Sequence, residues 1–195
     1  KRKDVIEDYV ASAKSKIEQS LSEDPMWDHP LPEGFCMEET GTITADFDAE
    51  IVSVIPPDAA EIFGDGTATV AINIFGNDLD LSANFSHSGP DESSDNPRRG
   101  ITIFSFDQDS NIWGTILYID PEQFAAGGTL DVNAYDVFGV LIFIPAGTAN
   151  PDDFQLTGFL RGELKLEQSD VEEGGRVKGS LNAKIMGQEL DERQP

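Results

Sequence analysis

From Thr42 to Ile51 the chain alternates polar and apolar residues without a fault: Thr-Ile-Thr-Ala-Asp-Phe-Asp-Ala-Glu-Ile. A period of two sends successive side chains to opposite faces, so the segment predicts a strand with one face in a core and one in water. The same reading predicts strands at 68–75, 79–85, 101–106, 112–119, 130–134, 137–144, 156–166 and 177–185, with turn-forming residues between them. Val137 to Ile144 has no polar side chain at all. Both of its faces are expected to be covered, which places it in the middle of the structure. Gly158, Gly162 and Gly179 fall inside strand patterns and predict bulges or close backbone approach. Asn77-Asp78 reads as a turn between two strands, and Ser86 to Arg99, polar and without period, as a long surface loop.

Ahead of Gly41 the period is different. Ile6, Val10, Ala13, Ile17 and Leu21 recur at spacings of three and four, which predicts an amphipathic helix over Asp4–Ser22 that packs on the β domain or leads in from a preceding segment, with a partner-binding or self-associating helix as the alternative. Pro25, Pro30 and Pro32 then break the helix and predict a linker. The expected organisation is therefore a helix and Pro-rich linker over 1–34, followed by one acidic, mostly β domain over 35–195. Nine strands separated by turns suggest a two-sheet antiparallel β-sandwich, of jelly-roll or Ig-like topology, with one N-terminal helix. A chain of 195 residues is long enough to fill one such core.

Charge narrows the function classes. The formal net charge is -24, from 13 basic and 37 acidic residues, and it is unevenly spread. Between Ile17 and Leu160 stand 26 acids against two bases, the adjacent Arg98 and Arg99. Such a chain repels phosphate backbones and anionic headgroups, so nucleic acid is excluded as a partner. It suits calcium, a basic partner drawn by long-range steering, or plain solubility. The lone Cys36 forms no internal disulfide, and with His29 and His87 the only histidines there is no zinc or redox cluster. No apolar run reaches the length that spans a bilayer. The acidic, Gly-rich, β-rich composition is associated with export, so an extracellular, cell-surface or periplasmic location in a bacterium is expected.

Three constellations could carry chemistry. Trp27 and His29, in Met26-Trp27-Asp28-His29-Pro30, offer an aromatic platform and an imidazole for a ligand, to which Arg98 and Arg99 add the central positive charge. Asp107, Asp109 and Asn111 set three oxygen-bearing side chains at alternate positions of one turn, the opening of a calcium loop. Ile112 and Tyr118 replace the Gly and Glu that an EF-hand needs, so a Ca²⁺ site here would be of another kind. Asp46, Asp48 and Glu50 share one face of one strand, with ~7 Å of backbone rise between neighbours. Their run, Asp-Phe-Asp-Ala-Glu, resembles the Glu-x-Asp-x-Glu strand of jelly-roll glucanases of the laminarinase type. The resemblance covers five residues and implies Asp46 as nucleophile and Glu50 as acid; Asp46 is one carbon shorter than the family's Glu, and this chain has two tryptophans in all. No G-x-S-x-G elbow or phosphate loop occurs.

The leading expectation is a noncatalytic exported or cell-surface domain that binds a protein or glycan partner. A Ca²⁺-stabilised adhesion or matrix module is the alternative, and a jelly-roll glycoside hydrolase the second alternative.

Overall fold

The computed structural model describes residues 38–51, 66–91, 98–133, 137–147 and 155–187. Within them lie β1 (Glu38–Ile51), β2 (Thr67–Ile74), β3 (Asn77–Asp78), β4 (Leu81–Asp91), β5 (Arg98–Asp107), β6 (Ile112–Ile119), α1 (Pro121–Ala126), β7 (Gly128–Val132), β8 (Val137–Ile144), β9 (Gln155–Ser169) and β10 (Arg176–Gly187). All nine expected strands are present. The predicted N-terminal helix and linker, with Trp27 and His29, lie outside the described residues.

Two expectations are corrected. The strands form one hydrogen-bonded sheet rather than the two of a sandwich. Its two ends meet, because β1 pairs with β10 on one side and with β2 on the other. Eight strands, β1, β2, β4, β5, β6, β8, β9 and β10, therefore follow one another antiparallel around a closed up-and-down wall. Alternation along a strand reports that one face is buried, and a barrel meets that demand as well as a sandwich does. The second correction concerns the expected loop at Ser86–Arg99: β4 continues to Asp91 and β5 begins at Arg98, paired Asp91↔Arg98 to His87↔Thr102. Ser86 and Ser88 are small enough to face inward and bond to the backbone of neighbouring strands, at Thr67 O (2.7 Å) and Gly100 O (2.8 Å), so their polarity does not break the strand.

Inside the wall, Ile43, Phe47, Ile72, Ile101, Ile103, Leu117, Leu141, Leu164, Leu181 and Ile185 belong to one cluster contributed by strands from the whole circumference. Sealing one end is α1, whose Phe124 is fully buried in that cluster. Its signals are local: the Asp120 carboxylate accepts from the N–H groups of Glu122 and Gln123, Pro121 opens the first turn, and Gly127 caps the end at φ 63°. Beside it β7 fills the fork where β8 and β9 diverge, pairing Gly128–Val132 with β9 and meeting β8 at Val132↔Val137 alone.

The strand glycines act as expected. A Cβ on Gly162 would lie 2.1 Å from Asn182 O, one on Gly179 2.1 Å from Lys165 O, and one on Gly158 2.8 Å from Met186 O. A register shift between Lys178 and Gly179 marks a bulge. The turn assigned to Asn77-Asp78 sits two residues earlier. Phe75 and Gly76, at φ 51° and 80°, form the two-residue hairpin loop, and Asn77–Asp78 pairs back onto Asn73 and Ile74. Among the described residues no helix is long and apolar enough to cross a membrane.

Candidate functional site

The outer surface of the wall divides by chemistry. Across β2, β1, β10 and β9 most outward positions are polar, with Ala71, Phe159 and Met186 as apolar exceptions, while the inward positions carry the aliphatic side chains. Register assembles these outward residues into rows. One row runs Thr69, Asp46, Ser180 and Lys165; the next runs Thr67, Asp48 and Lys178.

A groove of about 350 Å³ crosses this region, lined by Asp46, Asp48, Thr67, Thr69, Glu167, Lys178 and Ser180 among others. Phe47, the aromatic residue of the lining, belongs to the barrel core. At the centre Asp48 is held by two cations. Arg176 donates from Nε to Oδ1 at 2.7 Å, with Nη2 2.6 Å from the same oxygen, and Lys178 Nζ stands 3.1 Å from Oδ2. Arg176 Nη2 also donates to the Asp48 carbonyl at 3.3 Å. Partial burial pushes the Asp48 carboxyl up, but the hydrogen bonds and charges of Lys178 and Arg176 outweigh it and leave the carboxyl below its ordinary range. Lys184 similarly meets Glu39 at 2.6 Å and Lys165 meets Glu167 at 3.1 Å.

The row of Asp46, Asp48 and Glu50 thus faces outward from a convex wall, opposite Ser180, Lys178 and Arg176 in register. The basic residues concentrated after Leu160 fold back onto the acids of β1, so this part of the surface is close to charge balance. Lys178 and Arg176 were missed in the sequence as partners of this row. The signal that could have found them is the matching alternation Arg-Val-Lys-Gly-Ser-Leu, opposite in charge to the β1 row.

Of Asp107, Asp109 and Asn111, at the turn between β5 and β6 where Ser110 takes φ 65°, the side chains of Asp107 and Asn111 meet, while Asp109 joins them through its backbone N–H. The Asp107 carboxylate organises the loop. Its Oδ1 accepts from Asp109 N (3.0 Å) and Asn111 N (2.9 Å), and its Oδ2 from Asn111 Nδ2 (2.9 Å) and Trp113 Nε1 (3.3 Å). Desolvation raises this carboxyl, but those four donors prevail and hold it below the usual carboxylate range. Asn111 Oδ1 accepts from Ala146 N at 2.8 Å. Among the described residues no group of three or more His, Cys, Asp and Glu is arranged to hold a metal ion.

Arg98 and Arg99 begin β5, far along the wall from the calcium-like loop at its other end. Arg99 donates from Nη2 to Val171 O at 3.1 Å and stands 5.9 Å from the centroid of the Phe124 ring, so it helps to tie α1 and the β9–β10 connection to the barrel end.

The chain matches no known family model, and no curated protein or solved structure is similar to it.

Proposed function

We propose that this chain is a noncatalytic binding domain of the cell exterior that takes a polar, cation-bearing segment of a protein partner in the groove over β1, β2, β9 and β10. The carrying observation is the groove's lining: the carboxylate of Asp46, and that of Glu167 shared with Lys165, flanked by the hydroxyls of Thr67, Thr69 and Ser180, with no outward aromatic ring among the described residues of that lining on which a sugar could stack. Protein is favoured over glycan for that reason. The central Asp48 is committed to Arg176 and Lys178, which supports binding over hydrolysis. The acid excess elsewhere on the chain supports long-range steering of a basic partner into the groove, where matched polar groups would set orientation. Export rests on the same acidic, β-rich composition.

The test is an NMR titration of the full chain with an oligolysine peptide and, separately, with soluble oligosaccharides at physiological ionic strength. Peptide-induced shifts confined to the outward residues of β1, β2, β9 and β10, and abolished by Asp46→Lys, are expected. Shifts scattered over the surface, or a response to oligosaccharide alone, would overturn the reading.

A further inference from the structure

The outer surface of the wall carries two regions of opposite chemistry. On β6 and β8, Ile116, Phe138, Val140, Ile142 and Ile144 form an apolar cluster separate from the barrel core, with Val140 0% exposed and Ile142 2%. The groove over β1 and β10 is instead polar and open to water, and a cation of the chain itself already stands in it, the ammonium of Lys178.

Two carboxylates of β1 line that groove, and they differ in their partners. Asp48 is half-buried and carries two cations, whereas Asp46 is exposed and, among the described residues, has neither a hydrogen bond nor an ion pair. Across the strands from Asp46 stand Thr69 and Ser180, which carry no charge. The two cations on Asp48 are not equivalent. Arg176 reaches Oδ1 from Nε at 2.7 Å and from Nη2 at 2.6 Å, and the Asp48 carbonyl at 3.3 Å, so three contacts fix its planar fork. Lys178 makes one contact, to Oδ2 at 3.1 Å, from a flexible stem whose side chain is 45% exposed. Arg176 by itself balances the charge of Asp48. Lys178 is the loosely held member, since an exposed pair on a long, mobile side chain contributes little.

We propose, resting on the reading of this groove as a site for a cation-bearing segment, that Lys178 is a built-in competitor. It occupies the second of two cation positions, Asp48 Oδ2, and yields it to a segment that brings basic side chains at alternate positions. Asp46 and Asp48 lie two residues apart on β1, so their carboxylates project from one face with ~7 Å of rise between them. An extended segment laid along β1 presents its residues i and i+2 at the same spacing. Its first cation meets Asp46 unopposed. Its second has to displace Lys178, which competes at high effective concentration because it is part of the chain. Selectivity follows from that opposition: a lone cation gains Asp46 only, whereas a correctly spaced pair gains both carboxylates and loses one weak contact.

The experiment is an NMR titration of the full chain, as wild type and as Lys178→Met, with three capped peptides: Thr-Lys-Thr-Lys-Thr, its isomer Thr-Lys-Lys-Thr-Thr, and Thr-Lys-Thr-Thr-Thr. Methionine keeps most of the stem and removes the ammonium. Affinity for the alternate-lysine peptide should rise about three- to fivefold in Lys178→Met, as the loss of an exposed ion pair allows, while the other two affinities stay the same. In the wild type, the alternate-lysine peptide alone should shift the Lys178 side-chain signals. Lys184→Met removes the same charge farther along β10, from the pair with Glu39, and should change none of the three affinities. Unchanged or weaker binding of the alternate-lysine peptide by Lys178→Met would overturn the proposal and leave the groove reading intact. So would equal gains for all three peptides, or the same gain in Lys184→Met, since either is a general effect of charge. If no peptide shifts the outward residues of β1 and β2 in any of these proteins, the groove reading fails and the proposal falls with it.

Discussion

Replacing His87 with Phe should remove a pH dependence that the wild-type fold carries between pH 6.5 and about 4. His87 projects from β4 into the outer apolar face, its ring centroid 5.8 Å from that of Phe104, and its Nδ1 is buried without a hydrogen-bond partner. Burial pushes the imidazole from 6.5 down to about 4. A folded-state value below the unfolded one means that, in this window, the unfolded chain binds a proton that the folded chain refuses. Stability is complete above pH 6.5 and falls as pH drops toward 4. Moving the value from 6.5 to about 4, at ~1.4 kcal/mol per tenfold change in proton affinity, sets an upper bound of roughly 3.5 kcal/mol. Phe keeps an aromatic ring beside Phe104 and has nothing to protonate. Urea denaturation of both proteins at about pH 7, 5.5 and 4.5 measures the effect as a difference, so that general relief of repulsion among the many acids cancels. Asp48, Asp107 and Asp170, whose carboxyls are held low, lose their contributions only below the ordinary 3.8 and leave the window clear. The wild-type advantage over the variant should shrink by up to about 3.5 kcal/mol on acidification. A constant difference would refute desolvation as the cause. A difference that grows in acid would show that Glu50, opposite His87 across the β1–β4 pair, stabilises the charged ring instead.

Four further outcomes are expected. Asp48→Asn should cost about 1 kcal/mol in urea denaturation at neutral pH, since the Arg176 and Lys178 pairs are partly exposed, and the loss should vanish as pH falls through the lowered Asp48 value. Phe75→Asn should stabilise by about 1 kcal/mol, read as a higher Tm, because Phe75 is 70% exposed at φ 51°, a conformation that Asn tolerates and a bulky ring does not. Gly162→Ala should cost roughly 3 kcal/mol or abolish folding, by circular dichroism, since its Cβ would meet a backbone oxygen at 2.1 Å with no flexible side chain to move. Asp107→Ala should destabilise by about 2 kcal/mol, and millimolar Ca²⁺ should raise the wild-type Tm no more than Mg²⁺ at matched ionic strength, because the Asp107 oxygens already accept four donors.

The strands were legible because their signal is local. Ile112–Ile119 and Val137–Ile144 have the bounds that periodicity predicts, and the double-faced apolarity of β8 does mean that it is covered on both sides. Elsewhere local signals were present but weaker. Asp120-Pro121 before a short apolar stretch and Gly127 after it mark α1, yet six residues are too few to show a helical period. At Phe75-Gly76 the aromatic residue masked a hairpin loop, since Asn or Asp is the usual sign of positive φ there.

The candidate groove was legible only in half. The β1 carboxylate row is visible in the chain, but a lone strand cannot show what lies across from it, and the answer is 128 residues away at Arg176. The amino-acid sequence by itself determined which segments are strands, which of their faces are apolar, and that the surface is acidic, because each follows from side-chain alternation and composition. Tertiary structure alone decided that the sheet closes into a barrel, that Asp48 is neutralised by Arg176 and Lys178, and that the outer face of β5, β6 and β8 is a second dry surface. Closure and register depend on which strand edges pair over long separations, and no short window of sequence carries that information.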